Sequence, residues 1–138
     1  MKALDLSIKD IKVGDTATCS RIWTEEDIVS FSKLSGDENP LHMDISYAEN
    51  TRFKNRIVHG MLVSSLCSQI VGMYLPGKRC LYLQQNLKFK NPVFIGDNVS
   101  ATGTVISKSE STGIISVSII MKKNDSIVIE GEAVVQII

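Results

Sequence analysis

The chain has 138 residues, of which 43% are hydrophobic, and its 15 lysines and arginines equal its 15 aspartates and glutamates in number. This length suits one hydrophobic core, so we expect a single domain over residues 1–138. The apolar content excludes general disorder, and the balanced charge disfavours a nucleic-acid-binding surface. A globular protein without a nucleic-acid partner is expected.

The cysteine pattern and the apolar stretches predict a cytoplasmic location. The three cysteines are widely spaced and contain no CxxC pair, which favours free thiols in a reducing compartment: Cys19, Cys67 and Cys80. Residues 1–14 lack the uninterrupted apolar segment of a secretory signal. The apolar-rich stretch 57–75 contains His59 and several serines, so we expect a buried helix and no membrane span.

The first half of the chain predicts short helices joined by a loop. Thr24 precedes three acidic residues and an apolar face that runs to Gly36, which predicts a capped helix. Pro40 prevents a continuous helix over residues 37–42, so a structured loop is expected there. Asp44 predicts the cap of a second short helix through Glu49, and residues 51–56 read as a mobile polar connection.

A longer helix is predicted to begin at the segment His59-Gly60-Met61. Apolar residues at positions 62, 66 and 70 and at 63, 67 and 71 form two adjacent stripes. Most of the circumference of this helix is therefore apolar, which indicates burial inside a sheet. Pro76-Gly77 is expected to end the helical region.

The second half of the chain predicts four strands: Cys80 to Phe89, Val99 to Ser107, Gly113 to Lys122 and Ile127 to Ile137. The last three alternate apolar with polar residues, as an antiparallel sheet with one dry face does. That face is predicted to carry Val99, Ala101, Val105, Ile115, Val117, Ile119, Met121, Ile127, Ile129, Ala133, Val135 and Ile137. We therefore expect an α+β protein in which a curved antiparallel β-sheet wraps around a long central α-helix, the arrangement called a hotdog fold.

Candidate chemistry centres on the chain's two histidines, His42 and His59. Asp37 and His42 are separated by Pro40, so a tight turn could aim both at one point, and a carboxylate with an imidazole can hold a water and move its protons. Spacing alone favours an ordinary structural interpretation, in which Asp37 and Asn39 turn the chain and His42 is a hydrogen-bonded, partly buried side chain.

Other residues near the central helix have two interpretations each. The Gly60 amide at the start of the helix can stabilise an oxyanion, or the glycine can merely permit close packing. His59 is better explained by a hydrogen bond to the preceding loop than as a second catalyst. Ser68 can line a pocket or pack within the helix. Because the cysteines and histidines lack ligand spacing and no nucleotide-binding loop occurs, neither a metal nor a cofactor is expected.

Two segments resemble the signature of MaoC-like hydratases, particularly the (R)-specific enoyl-CoA hydratases. They are residues 31–44, FSKLSGDENPLHMD, and residues 56–62, RIVHGML. The similarity continues through Leu75-Pro-Gly77, residues 82–97 and residues 131–135, so it covers nearly the whole chain. A combination of this length is a specific signal.

The resemblance implies roles for individual residues. Asp37 and His42 match the family's catalytic pair, and Gly60 matches the amide that holds the thioester oxygen. Asn39 would help to shape the catalytic loop. The substrate pocket would be bordered by residues near the central helix and the last strand: Asn39, His59, Ser68, Val71 and Val135.

The implied activity is reversible syn addition of water to trans-2-enoyl-CoA, giving (R)-3-hydroxyacyl-CoA without a cofactor. The resemblance also implies a homodimer in which each pocket is completed by the partner, with larger assemblies open. Alternatives are a 3-hydroxyacyl-carrier-protein dehydratase, a thioesterase, and a non-catalytic subunit that binds acyl thioesters. Glu38 and residues 51–55 leave the acyl chain length open. CoA phosphates could meet cations after the central helix: Lys78, Arg79, Lys88 and Lys90.

Overall fold

The computed structural model describes residues 1–138 as a five-stranded antiparallel sheet with helices packed against it. The strands are β1 Thr16–Ile22, β2 Cys80–Phe89, β3 Asn98–Ser109, β4 Ile114–Lys123 and β5 Ser126–Ile137. Their order across the sheet is β1-β3-β4-β5-β2, which leaves β1 and β2 at the two edges. The predicted α+β class and hotdog architecture are confirmed.

Six short helical segments connect or cross the sheet: α1 Glu25–Ser35, α2 Pro40–Met43, α3 Ile45–Glu49, α4 Gly60–Ser64, α5 Leu66–Gln69 and α6 Ile70–Tyr74. The last three form the predicted central helix, because Ser65 between them also has helical angles. α6 is a π-helical turn, in which the Leu75 amide donates to the Ile70 carbonyl at 2.9 Å. None of these helices is long and apolar enough to cross a membrane.

The central helix fills the concave side of the sheet. Ile70 and Val71 are fully buried with Val117 and Val135 in one hydrophobic cluster of 23 residues. Gly103 on β3 permits this contact, because an added Cβ would lie 2.5 Å from the Ile70 side chain. The alternation in β3, β4 and β5 therefore buries the face that the sequence predicts, apart from one shift near the start of β5.

That shift and an additional strand correct the sequence-based prediction. Met121 pairs with Ile129 but Lys122 pairs with Ile127, so Val128 is the extra residue of a bulge and is fully buried in place of Ile127. Strand β1 is not predicted, because Cys19 is its single buried residue and the alternation signal is weak. It is an edge strand held by pairing with β3.

Two loop predictions also change. Residues 37–39 form the expected loop, but Pro40 begins the turn α2 because proline is tolerated at the first position of a helix. The segment 51–56 is not a free connection, since the Arg56 guanidinium is buried and donates to both carboxylate oxygens of Glu25 on α1, at 2.9 and 2.5 Å. This ion pair fixes the residues that lead into the central helix.

Candidate active site

The loop between α1 and α2 presents Asp37. Gly36 ends α1 with a φ of 78°, and the Asp37 amide donates to the Ser35 hydroxyl at 3.2 Å. Asp37 Oδ1 accepts from the Asn39 amide at 3.2 Å, and Asn39 Oδ1 caps α2 by accepting from the Leu41 amide at 2.9 Å. The turn-forming interpretation of Asp37 and Asn39 thus holds, while half of the Asp37 side chain stays exposed.

His42 is fixed by the segment that precedes the central helix. Its Nδ1 lies 2.8 Å from the Ile57 carbonyl oxygen. A carbonyl can only accept, so Nδ1 carries a hydrogen and Nε2 is the nitrogen left for chemistry. The Ile57 amide bonds to the Leu41 carbonyl, and the Val58 amide bonds to the Val93 carbonyl. These bonds hold the acceptor in place.

His59 lies behind the loop and is 1% exposed. Its Nε2 donates to the Asp37 carbonyl oxygen at 3.0 Å, while its Nδ1 is buried without a partner. The ring stacks on His42 and meets the edge of Phe31 at 5.0 Å between centroids. Burial lowers the pKa of His59, and the neighbouring His42 adds to this effect. His59 is therefore a neutral support for the loop.

Asp37, His42 and His59 bring one oxygen and two ring nitrogens within 4.8 Å of one another. One water can form hydrogen bonds with two such atoms at once, either as donor or as acceptor. Binding of a metal by all three residues is disfavoured, because His42 Nδ1 and His59 Nε2 each already bond to a backbone carbonyl and the two rings are stacked. The arrangement suits proton transfer.

Gly60 is the first residue of α4, and its amide has no backbone acceptor. It lines a cavity of about 300 Å³ whose apolar wall includes Val63 and Ile129. Ile57, which binds His42, lines the same cavity. The Phe89 ring lies over Gly60, so that an added Cβ would be 2.8 Å from two ring carbons. Both interpretations of the glycine, close packing and a free amide, therefore apply.

The remaining predicted pocket residues lie elsewhere. Ser68 is exposed on the central helix, whereas Val71 and Val135 are fully buried in the core. None of the five predicted pocket residues, Asn39 and His59 included, lines this cavity. Sequence reasoning did not identify two residues that do line it, Phe53 and Phe89. No periodic signal marks them, because one lies in a polar connection and the other ends a strand.

The cysteines are not placed for nucleophilic catalysis. All three are free thiols, and burial raises the pKa of each, that of Cys67 to about 11. A thiol with a raised pKa carries little thiolate and is a poor nucleophile. A covalent thioester intermediate on cysteine is therefore disfavoured.

Comparisons with known proteins find one matching family, two hydratases and a dehydratase. Residues 9–125 match the family described as MaoC like domain. The chain is 41% identical to the (R)-specific enoyl-CoA hydratase of Rhodospirillum rubrum, over 99% of this chain and 97% of that protein. The solved (R)-hydratase from A. caviae involved in PHA biosynthesis superimposes with a TM-score of 0.91 at 39% identity, covering 94% of this chain and 99% of that one. A mitochondrial 3-hydroxyacyl-[acyl-carrier-protein] dehydratase of Arabidopsis thaliana is 39% identical, over 89% of this chain and 75% of that protein.

Proposed function

The chain belongs to the MaoC-like domain family, and from this we propose that it acts as an (R)-specific enoyl-CoA hydratase. It adds water reversibly to trans-2-enoyl-CoA and forms (R)-3-hydroxyacyl-CoA. The observation that supports the assignment is that an Asp37 oxygen and a His42 ring nitrogen lie within 4.8 Å of each other, while Ile57, the hydrogen-bond partner of His42, lines the same cavity as Gly60. High identity to hydratases over nearly the full chain supports it.

In the proposed mechanism, Asp37 and protonated His42 orient one water over the β-carbon of the substrate. The water oxygen bonds to the β-carbon while the Asp37 carboxylate takes one of its protons. His42 Nε2 delivers a proton to the α-carbon from the same face, which gives syn addition. A proton then passes from Asp37 back to His42, so the enzyme returns to its starting state with one water consumed.

Negative charge develops on the thioester oxygen as the β-carbon is attacked. The Gly60 amide is proposed to donate to that oxygen, aided by the dipole at the start of the central helix. Loss of one such donor costs about 3 kcal/mol of transition-state stabilisation in comparable sites. The His42 Nδ1 bond to the Ile57 carbonyl fixes the ring, so that Nε2 is the nitrogen that can face the substrate.

The second candidate is a dehydratase that runs the reverse reaction on a 3-hydroxyacyl carrier protein, since the chain is also 39% identical to such an enzyme. The same residues would serve both directions. Comparison of crotonyl-CoA with crotonyl carrier protein separates the two. A clear preference for the protein-bound substrate would replace the hydratase assignment.

The direct test follows the loss of enoyl-thioester absorbance with crotonyl-CoA and resolves the configuration of the 3-hydroxy product. The proposal expects the (R) product and no release of free thiol. Release of thiol would indicate a thioesterase. A folded protein that is inert with both CoA and carrier-protein substrates of several chain lengths would indicate a non-catalytic binding subunit.

A homodimer is also proposed, formed through the edge strand β2. This strand exposes Leu81, Tyr82 and Leu83, and an unpaired apolar edge favours pairing with a second copy. Light scattering is expected to give the dimer mass for the wild type and a monomer for Leu83→Lys. Ile120→Lys on the central strand β4 is the matched control and should stay dimeric. A monomeric wild type contradicts the proposal.

Residues 1–138 are proposed to act as one domain, because the sheet and central helix share one hydrophobic cluster. A cytoplasmic location is proposed from the three free thiols. A single cooperative unfolding transition and the presence of the tagged protein in the cytoplasmic fraction would agree with these two statements. Two separated transitions or recovery outside the cytoplasm would overturn one or the other.

A further inference from the structure

The cavity beside Gly60 is apolar inside and cationic at its rim. Val58, Val63 and Val93 form part of its buried wall. Arg52 and Lys90 lie among its lining residues and are themselves exposed. They come from different parts of the chain, Arg52 from the segment after α3 and Lys90 from the residue after β2. The fold therefore places two cations at one opening.

Arg52 is not neutralised within the chain. It forms no salt bridge, and its guanidinium lies 4.8 Å from the centre of the Phe53 ring, another residue of the cavity. Stacking on an aromatic ring limits the motion of a guanidinium while its N–H groups stay free to donate. Arg52 is thus oriented and available for an anion.

Lys90 is held less firmly. Its Nζ lies 3.0 Å from a Glu130 carboxylate oxygen, and both side chains are partly exposed. Such a surface pair contributes little free energy, so an incoming phosphate can compete for the ammonium. The other candidate cations are placed differently. Lys78 and Arg79 both pair with Asp5 and do not line the cavity.

We propose that Arg52 and Lys90 form a phosphate-binding rim that recognises the phosphates at the end of the substrate's pantetheine arm. This inference rests on the proposed function, because a thioester oxygen at Gly60 would place the arm in this cavity. Arg52 would supply a forked donor and Lys90 a point charge to the same anionic group. The shared ligand chemistry is the phosphate of phosphopantetheine, which both CoA and a loaded carrier protein carry.

The test compares kcat/KM for crotonyl-CoA with kcat/KM for crotonyl-pantetheine, which lacks phosphate. Arg52→Gln and Lys90→Gln are each expected to lower the ratio of the two values about tenfold, as loss of a charge-assisted hydrogen bond predicts. Lys78→Gln removes an equal charge away from the cavity and should keep the wild-type ratio. A ratio unchanged in both rim variants, or equal losses with both substrates, overturns the proposal.

Binding of free CoA by calorimetry provides a readout independent of turnover. The wild type should bind more tightly than Arg52→Gln, and the difference should shrink as salt screens the charges. If the wild type hydrates neither thioester yet this difference persists, the proposed function fails and the rim stands. If CoA binding is equal in the two proteins, the rim is wrong whatever the activity.

A third substrate, crotonyl carrier protein, distinguishes the sources of the phosphate. Equal losses with CoA and carrier protein in Arg52→Gln would place the rim at the phosphate common to both. A loss with CoA alone would place it at the remaining phosphates of the nucleotide. Both results support recognition of phosphate. No loss with either substrate contradicts it.

Discussion

The imidazole of His59 stacks on that of His42, with ring centroids 3.9 Å apart and planes inclined by 29°. A proton on His42 during turnover leaves no favourable place for a second proton on His59, because two stacked imidazolium ions repel each other. Burial lowers the pKa of His59 and so keeps it neutral. His59 can therefore support an imidazolium at His42 and hold Asp37 by its backbone without touching the substrate.

Two replacements of His59 distinguish the contribution of its aromatic ring from that of its hydrogen bond. His59→Phe keeps an aromatic ring but loses the donor to the Asp37 carbonyl, and kcat is expected to fall about tenfold while KM changes little. His59→Gln places an amide donor near the position of Nε2 and should recover part of the loss. Steady-state kinetics with crotonyl-CoA measures both. A pure KM effect would contradict a positioning role.

Stability should depend on pH through His59. Burial lowers the pKa of folded His59 below its ordinary value of 6.5, so the unfolded chain binds the proton more tightly. The contribution of neutral His59 to the free energy of unfolding is fully present above pH 6.5. It is lost as the pH falls from 6.5 through the pKa of folded His59. Urea unfolding at several pH values from about 7.5 to about 5 should show a smaller decline for His59→Phe than for the wild type. Equal declines would show that another group is responsible.

Removal of either member of the catalytic pair should abolish most activity without unfolding the protein. Asp37→Asn keeps an oxygen for the Asn39 amide but cannot take a proton. His42→Asn keeps a donor toward the Ile57 carbonyl and lacks the second nitrogen. Each is expected to lower kcat about 10³-fold. Circular dichroism and the melting temperature serve as controls. Retention of more than a tenth of wild-type activity would exclude that residue from proton transfer.

The long periodic segments of this chain predict the fold well, because burial of one face dictates both element type and orientation. Strands β3, β4 and β5 and the central helix are predicted within a few residues. Strand β1 carries no such pattern, since it is held by backbone pairing with β3 and buries only Cys19. The bulge at Val128 is not predicted from the sequence either. Ile127, Val128 and Ile129 are all apolar, so burial of Ile127 and burial of Val128 fit the pattern equally well.

The candidate site is predicted by resemblance more than by pattern. Asp37 and Asn39 satisfy local turns as well as lying beside His42, so local chemistry alone does not separate the two interpretations. The hydrogen bond between His42 and the Ile57 carbonyl cannot be predicted from residue types, because every residue has a backbone carbonyl. Arg56 is likewise paired with Glu25 across 31 positions, which no local window detects.

The Arg56–Glu25 pair should contribute to stability. The Arg56 guanidinium is nearly buried and makes two bonds, but the Glu25 side chain is 54% exposed, so solvent screens part of the attraction. A double-mutant cycle with Glu25→Ala and Arg56→Ala is expected to give a coupling of about 1 kcal/mol in urea unfolding. Arg56→Lys should keep less than half of it, because an ammonium cannot form the fork.

The pH dependence of this coupling provides its control. Hydrogen bonding to Arg56 lowers the pKa of Glu25, against a smaller opposing effect of burial. The contribution is therefore present above the unfolded pKa near 4.5 and disappears as pH falls through the folded pKa. Cycles measured at about pH 7 and about pH 3 should differ. A coupling that is the same at both values would assign it to packing of the arginine stem.

The proposed oxyanion donor can be removed without a cavity or a buried charge. Gly60 is the first residue of α4, and His59 before it has φ −53° and ψ 127°, angles that a residue preceding proline adopts readily. Gly60→Pro therefore deletes the N–H at a helix position that favours proline. Gly60→Ala is the matched control, because it adds a Cβ against the Phe89 ring and keeps the N–H.

Both variants push the same exposed ring, so their steric effects should be similar, and Phe89→Leu should relieve both. Any difference in kcat that remains between the two variants is then due to the backbone N–H. We expect kcat of Gly60→Pro to be lower than that of Gly60→Ala by about 10²-fold, the loss found when one oxyanion donor is removed. Steady-state kinetics of the single and double variants, at matched melting temperatures, measures the difference. Equal kcat values would show that the Gly60 amide does not hold the thioester oxygen, because both variants add a Cβ and only Gly60→Pro lacks the backbone N–H.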